Sequence, residues 1–442
     1  MKTFTNKINI NPSYPVMAPY DWKDILFFDI ETTGFSSNTS YLYLIGCMYY
    51  KDKDWQVTQW LADDLNSEPQ ILEAFFQVVK SFKRLIHYNG TGFDIPFIQQ
   101  KCKKYNLNFS FDQIESYDIY KKIQKIKRVL PLSNYKLKTI EKFLGIKRTD
   151  TFSGEDLIQI YANYLGKLQY EKLLQKSSHT EPAPKANNNS LTPISKDDTK
   201  KLSSEELSQI ILLHNLEDVK NLIQIADILY YLDIFENCSY QNIQTREESV
   251  FTGQMGQLSF HSGLKQSSFL CMETLLSFSL PQPLALLCPL PQCDTESGYH
   301  KSFKDISSIR LLVKNNMLTV KLPVFDGELK YFFENYKDYY YLPMEDTAIH
   351  KSVAMYVDKD YKVKAKPANC YIKKQGRFLP QTECIITPEF KFTFTDKLTY
   401  FELTDKFFSD PNQQNTYVKS ILRYILNSKA AIVINDSEID SI

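Results

Sequence analysis

Four consecutive large apolar residues, Ile25-Leu26-Phe27-Phe28, run directly into Asp29-Ile30-Glu31. A continuous apolar run of this length fits a strand buried on both faces better than a half-solvated strand, which alternates. Asp29 and Glu31 stand two apart, so on a strand both side chains leave the same face. A turn begins just beyond them, in Thr32-Thr33-Gly34. Two carboxylates on one face of an apolar strand end raise each other's pKa unless a cation neutralises them. By itself an Asp-x-Glu pair is common, and its ordinary reading is a solvated strand end. The rest of the chain decides between the two.

Around this strand the pattern predicts two more, over 41–50 and 54–61, joined at Lys51-Asp52-Lys53-Asp54. Ser67 and Glu68-Pro69 open a helix with Ile71, Leu72, Phe75, Phe76, Val78 and Val79 at helical spacing. A strand over 84–88 ends at Asn89-Gly90, and a helix follows from about 93 to 105. Three strands, helix, strand, helix predicts an α/β arrangement on a mixed sheet. Residues 115–175 read as mostly helical after a short strand at 116–120. Among them Lys136, Leu137, Lys138, Ile140, Phe143 and Leu144 form an amphipathic helix closed by Gly145.

The segment 176–201 is polar and rich in Pro, Asn and Ser, so it buries too little to offset its ordering entropy and reads as a flexible insertion. Ser203 with Glu206 looks like a capping box opening a long helix that carries Leu207, Ile210, Ile211, Leu213, His214, Asp218 and Ile223. After about Cys238 the texture changes. A weakly patterned stretch, 240–304, leads into IRLLVKN, NMLTVKLPV and ELKYFFE, punctuated by Asn315-Asn316 and Asp326-Gly327. Further strand-like runs stand at 353–358, 361–365, 368–373, 384–387 and 390–402, before a terminal helix at roughly 413–428. The expected division is an α/β domain over 20–236 and a mainly antiparallel β domain over 240–442.

Composition narrows the partners. The 442 residues hold 52 Lys+Arg against 52 Asp+Glu, which removes a histone-like, tail-driven polyanion binder but leaves room for a local basic groove. No stretch approaches the roughly 18–20 apolar residues that span a bilayer. The amino terminus, MKTFTNKINI, lacks the apolar core of a signal peptide. Eight cysteines without a CxxC pair suggest neither a disulfide framework nor a zinc ribbon. The expectation is a cytoplasmic protein with buried, reduced thiols.

Two further carboxylates change the weight of Asp29 and Glu31. Asp94 closes His87-Tyr88-Asn89-Gly90-Thr91-Gly92-Phe93-Asp94, just after the strand 84–88. If that strand shares the sheet, Asp94 can point toward Asp29; a helix N-terminal Asp favoured by the macrodipole is the plainer account, and both can hold. His214 and Asp218, in His214-Asn215-Leu216-Glu217-Asp218-Val219, stand at i and i+4 and share one helix face. A lone His on an apolar helix is more often a core residue than a catalyst, but here an Asp lies one turn on. Glu217, roughly 100° round the helix, is expected to be solvated.

In order, FDIETTG with Asp29 and Glu31, HYNGTGFD with Asp94 and HNLEDV with Asp218 resemble the motifs of the DEDD superfamily of ribonuclease H-like 3′–5′ exonucleases. The resemblance spans roughly 22–234 and is strongest to the bacterial YprB-type domain, whose texture SYDIYKKI and NYKLKTIEKFLGIKR also share. It implies a ribonuclease H-like mixed sheet flanked by helices, and hydrolysis of phosphodiester bonds by a two-metal mechanism. Asp29, Glu31, Asp94 and Asp218 would be the oxygen ligands of two Mg²⁺ or Mn²⁺ ions, Asp29 bridging them. His214 would take a proton from the attacking water. Related branches carry a His five residues before the last Asp, or a Tyr four before it, so here an imidazole takes the tyrosine-like spacing. Its ordinary pKa of about 6.5 suits a base at neutral pH; a phenol at about 10 would mainly orient the water.

Single-stranded DNA or RNA is the implied partner, with Thr32, Asn89, Lys136 and Lys138 as expected contacts. Lys136 and Lys138 belong to a run between 120 and 148 that holds ten basic residues, from Lys121 to Arg148, and one acid, Glu141. Such a run can neutralise phosphates. For most of it, a solvated helix face with long stems over apolar surface is the plainer account. The aromatics Tyr331, Phe332, Phe333, Tyr336 and Tyr339 to Tyr341 read as sheet core rather than a base-stacking platform, and His87 reads as structural. A catalytically silent nucleic-acid-binding or scaffold protein, and an endonuclease of the same fold, are the competing readings.

Overall fold

The computed structural model describes residues 1–177, 199, 201–252, 265–291 and 308–434. The expected insertion at 176–201 lies outside them apart from Lys176, Ser177, Thr199 and Lys201. The chain divides into two compact units, one formed by 1–125 with 132–229, the other by 126–131 with 230–442. No described helix is long and apolar enough to cross a membrane.

The first unit is built on a six-stranded mixed sheet of β1 (Lys2–Ile8), β2 (Ile25–Thr32), β3 (Leu42–Lys51), β4 (Asp54–Leu61), β5 (Arg84–His87) and β6 (Glu115–Asp118). Its order is β1-β4-β3-β2-β5-β6. The pairs β1–β4, β4–β3 and β3–β2 are antiparallel, while β2–β5 and β5–β6 are parallel. The apolar run from Ile25 to Phe28 is the inner strand, buried on both faces as its pattern requires. Asp52 and Lys53 both take positive φ, 53° and 67°, the geometry of a two-residue hairpin between β3 and β4.

Helices α1 (Glu68–Val79) and α2 (Asp94–Lys104) follow β4 and β5, as the spacing predicts. Phe28 of β2 packs against Phe75 of α1, ring centroids 5.5 Å apart, and Phe111 stacks on Phe28 at 6.4 Å. Truncating a ring of this kind costs about 3–5 kcal/mol. The strand expected over 116–120 stops at Asp118, whose side chain caps α3 (Ile119–Gln124) by accepting from Lys121 N. Next come α4 (Leu137–Leu144), closed by Gly145 at φ 73°, then α5 (Gly154–Ser177) and α6 (Ser204–Ile225). The Ser203/Glu206 capping box that opens α6 is present on both arms. Strand β1 was not expected: it is a polar edge strand, held by β4 rather than by burial of its own side chains.

Among the described residues of the second unit every pairing is antiparallel, in an eight-stranded sheet and a smaller three-stranded one. Asn315 turns the chain as expected, at φ 57°. Asp326-Gly327 does not: Met317–Phe332 runs through it as one strand, paired there with Arg377 and Gly376. Several expected strands are corrected. Residues 353–358 begin within a helical turn, Lys351–Ala354, and leave Val353, Met355 and Tyr356 exposed. Within 361–365 only Val363–Lys364 pairs. Pro367–Asn369 is a 3-10 turn, and the strand after it is Tyr371–Gln381.

No strand forms at 384–387. Within 390–402 the carboxylate of Asp396 accepts from Thr393 N and Oγ1, so the chain loops before the strand Thr399–Glu402. The terminal helix is Pro411–Asn427, capped by Asp410. Phe333 stacks on Tyr339 at 4.3 Å, so the aromatic run packs on itself. Cys47, Cys102, Cys271, Cys288 and Cys370 are buried free thiols.

Candidate active site

Because β5 lies parallel beside β2, both strands open at the same edge of the sheet. The β2–β3 register shifts between Glu31 and Thr32, the last residue of β2, so the strand is irregular directly after the second carboxylate. Beyond β5 the loop 88–93 is tied down from β6. The Asp118 carboxylate accepts from Asn89 N at 2.9 Å and Thr91 N at 3.2 Å, and His87 Nδ1 accepts from Gly90 N at 3.0 Å. Burial pushes the His87 imidazole down to about 4, which suits that acceptor role, and His87 is structural as expected. The loop delivers Asp94 as the first residue of α2.

Helix α6 lies across β2, β3 and β4. Its Asn215 donates from Nδ2 to Asp29 Oδ2 at 3.2 Å, and is itself held by Gln59 Nε2 at 3.0 Å. One residue earlier, His214 Nε2 stands 3.4 Å from Asp218 Oδ2 and 3.9 Å from Glu31 Oε1. Glu31, His214 and Asp218 each present a donor atom within 4.8 Å of the others. Glu31 and Asp94 are 8% and 6% exposed.

The electrostatics tie the four carboxylates together. Burial holds Asp29 well above the ordinary carboxylate range, and Asp94, Asp218 and Glu31 push the same way against the Asn215 hydrogen bond. Burial likewise lifts Glu31 to about 8; His214 opposes the shift, while Asp218, Asp94 and Asp150 add to it. Asp94 rises to about 7, again chiefly through burial, against backbone hydrogen bonds at Asp94 and Ile30. Burial pulls His214 downward, but Asp150, Asp218 and Glu31 outweigh it and leave the imidazole raised. Residues from β2, α2 and α6 thus converge on one acidic centre.

Sequence reasoning missed the layer behind that centre. Asp150, its side chain 1% exposed, lies with Oδ2 2.8 Å from His214 Nδ1. Arg148 is half-buried, its side chain 9% exposed, and paired rather than solvated: its NH1 lies 2.9 Å from Glu141 Oε1 and 2.6 Å from Asp218 Oδ1. Glu217 is also buried rather than solvated, accepting from Thr149 N at 2.9 Å and Asp150 N at 3.0 Å. Asn221 donates to Glu141 at 2.8 Å. The signal was present: His214, Glu217, Asp218 and Asn221 follow i, i+3, i+4, i+7, a polar stripe along one side of the helix.

Of the expected nucleic-acid contacts, Thr32 Oγ1 donates to Gly34 O at 2.9 Å, and Lys138 Nζ lies 3.2 Å from Asp150 Oδ2. Asn89 sits in the clamped loop at φ 61°. Lys136 is exposed at the start of α4.

A family model described as the RNase H superfamily matches residues 26–181, about a third of the chain. That stretch carries Asp29, Glu31, Asp94 and Asp150, while His214 and Asp218 lie beyond it. The first unit accordingly has a ribonuclease H-like fold, and the match supports nuclease chemistry in general terms. No curated protein matches the chain. Among solved structures, the family B DNA polymerase from the hyperthermophilic archaeon Pyrobaculum calidifontis aligns at 14% identity and a TM-score of 0.27. That alignment covers 60% of this chain and 33% of the polymerase.

Proposed function

We propose that this chain is a metal-dependent 3′–5′ exonuclease acting on single-stranded DNA or RNA, in the manner of the DEDD superfamily its motifs resemble. Residues 20–236 would be the catalytic domain and 240–442 an accessory one. The reading is supported by Glu31, His214 and Asp218 presenting donor atoms within 4.8 Å of one another, by Asn215 of the same helix reaching Asp29 at 3.2 Å, and by the shared upward push on the Asp29, Glu31 and Asp94 carboxyls. Carboxylates gathered this way ionise together only with a cation among them. The donor set is dominated by oxygen and fits hard ions such as Mg²⁺ or Mn²⁺. Asp29, Glu31, Asp94 and Oδ2 of Asp218 would hold them. Bound there, two such ions would supply the positive charge that activates a water and stabilises the leaving 3′ oxygen.

The protein's own groups would supply the proton transfer. His214 turns Nε2 toward Glu31 and Asp218, and so toward the acidic centre. There it would take a proton from the attacking water. The electron pair of the broken O–H bond stays on the oxygen that bonds phosphorus, and the P–O3′ bond breaks with its pair on the 3′ oxygen. Lys136, exposed at the start of α4, is the freest of the four residues assigned to the nucleic acid. Thr32 and Lys138 would exchange internal partners for a phosphate, and Asn89 would act from a loop already fixed in place.

One observation favours a second reading. Arg148 already neutralises one oxygen of Asp218, as a silent nucleic-acid-binding scaffold would require. Incubation with end-labelled single strands and Mg²⁺ or Mn²⁺ separates the readings. A ladder shortening from the 3′ end supports the exonuclease, internal cuts point to an endonuclease, and intact strands point to the scaffold. His214→Ala is expected to lower the rate by about 10²–10⁴-fold.

A further inference from the structure

We infer that Asn215 is a positioning residue for Asp29, holding one oxygen of that carboxylate from α6 so that a divalent ion meets it already oriented, while Gln59 holds Asn215; as a statement about metal binding this rests on the reading above. Asp29, Gly46 and Gln59 stand opposite one another across β2, β3 and β4, and residues paired in this way share a face of the sheet. The middle one has no side chain, so a gap separates a carboxylate and an amide on the same rung. Asn215 fills that gap from the helix lying over it. Asn215 and Gln59 are 0% and 1% exposed, so each amide has to find its partners inside the protein.

Which end of each amide meets which neighbour follows from a group that has no choice. The backbone carbonyl of Leu212 only accepts, so the arm of Gln59 that lies 2.9 Å from it is Nε2. The same Nε2 donates to Asn215 at 3.0 Å, which makes the atom it meets Oδ1. The other arm of Asn215 is then Nδ2, a donor, and it lies 3.2 Å from Asp29 Oδ2. Among the described residues no other group donates to the Asp29 carboxylate, and Asp94, Asp218 and Glu31 all repel it. One amide, oriented by a second, therefore fixes the rotation of the carboxylate from which the acidic centre starts. A side chain needed only to fill the space over Gly46 would carry no amide, because a buried one costs free energy unless both of its ends are bonded.

The test is Mn²⁺ affinity of the full chain, with a urea midpoint taken for every variant. Asn215→Leu keeps the branched shape but can neither donate nor accept, and Gln59 Nε2 keeps its bond to Leu212 O. The folded variant should bind Mn²⁺ about 10–100-fold more weakly than wild type. If Asn215→Leu does not fold, Asn215→Ala carries the same expectation. Gln59→Ala should weaken binding by at least about twofold in the wild-type background and not at all in the Asn215 variant, because it acts through Asn215. Lost packing alone would lower the urea midpoint and leave the affinity of the folded chain where it was. Wild-type affinity in the folded Asn215 variant, or a Gln59→Ala effect of the same size in both backgrounds, overturns the inference. A wild type that binds no Mn²⁺ overturns the inference and the metal reading together. Because binding needs no turnover, a wild type that cleaves no strand while the variants lose Mn²⁺ as expected would sink the nuclease reading and leave the positioning intact.

Discussion

Asn215 occupies the space that a side chain on Gly46 would fill: a Cβ there would lie 2.0 Å from Asn215 Oδ1. Gly46 pairs with Asp29 across β2 and β3, so the missing side chain lets α6 press close to the sheet beside the first carboxylate. From that position Asn215 reaches Asp29, 186 residues away in sequence. Gly46→Ala should therefore cost about 1–3 kcal/mol or more through overpacking. A double-mutant cycle in urea checks the contact. Asn215→Ala should relieve part of the Gly46→Ala loss, giving a coupling of at least about 0.5 kcal/mol. Strict additivity would mean that the two residues do not meet.

The acidic centre sets the sign of a pH dependence. Glu31 at about 8 and Asp94 at about 7 lie above their ordinary values of 4.5 and 3.8, so the folded metal-free chain keeps protons that the unfolded chain releases. Asp29 and His214 are raised as well and act in the same direction. Where the folded state binds more protons, stability falls as pH rises, here between about 4 and about 8. A divalent ion binds only the ionised oxygens, so its affinity should climb over the same window with release of protons. Urea melts at pH 5.5 and 8.5 should show the metal-free protein weaker at 8.5, and Mg²⁺ or Mn²⁺ stabilising it most there. Metal-free stability that rises across the interval would contradict the assignment.

Beside the site, Lys101 and Glu68 form an ion pair at 3.0 Å with side chains 1% and 0% exposed. Glu68 also accepts from Leu42 N at 2.7 Å, and Lys101 donates to Ser40 O, so the pair pins the chain where it re-enters β3 after the Thr32-Thr33-Gly34 turn. Lys101→Met would leave a buried carboxylate without its cation, at a cost of about 3–5 kcal/mol. A urea midpoint and slope will measure it. A loss below about 1 kcal/mol would show that solvent reaches Glu68.

How much of this was legible in the sequence depended on whether a signal was local. Asp29 with Glu31, and His214 with Asp218, each lie within one turn or one strand step, so periodicity alone put each pair on a common face. Asp94 needed one more assumption, that β5 pairs with β2, and the parallel register supplies it. Asp150 and Arg148 had no such handle. Arg148 sat in a run of basic residues and looked like surface, and only the tertiary fold brings Glu141, Glu217 and Asp218 around it. In the second unit, strand propensity at 353–358 yielded to a helical turn because no neighbouring strand pairs there, and β formation depends on such neighbours.

A cage of ionised oxygens that takes divalent cations is tested most directly by titrating the metal-free protein with Mn²⁺ at pH 8 and following the loss of the free-ion electron paramagnetic resonance signal. Wild type should bind Mn²⁺ at this centre, and Asp29→Asn should weaken that binding at least about tenfold while the chain stays folded. Equal binding by the two proteins, or none by wild type, would mean that these carboxylates do not form a divalent-cation site.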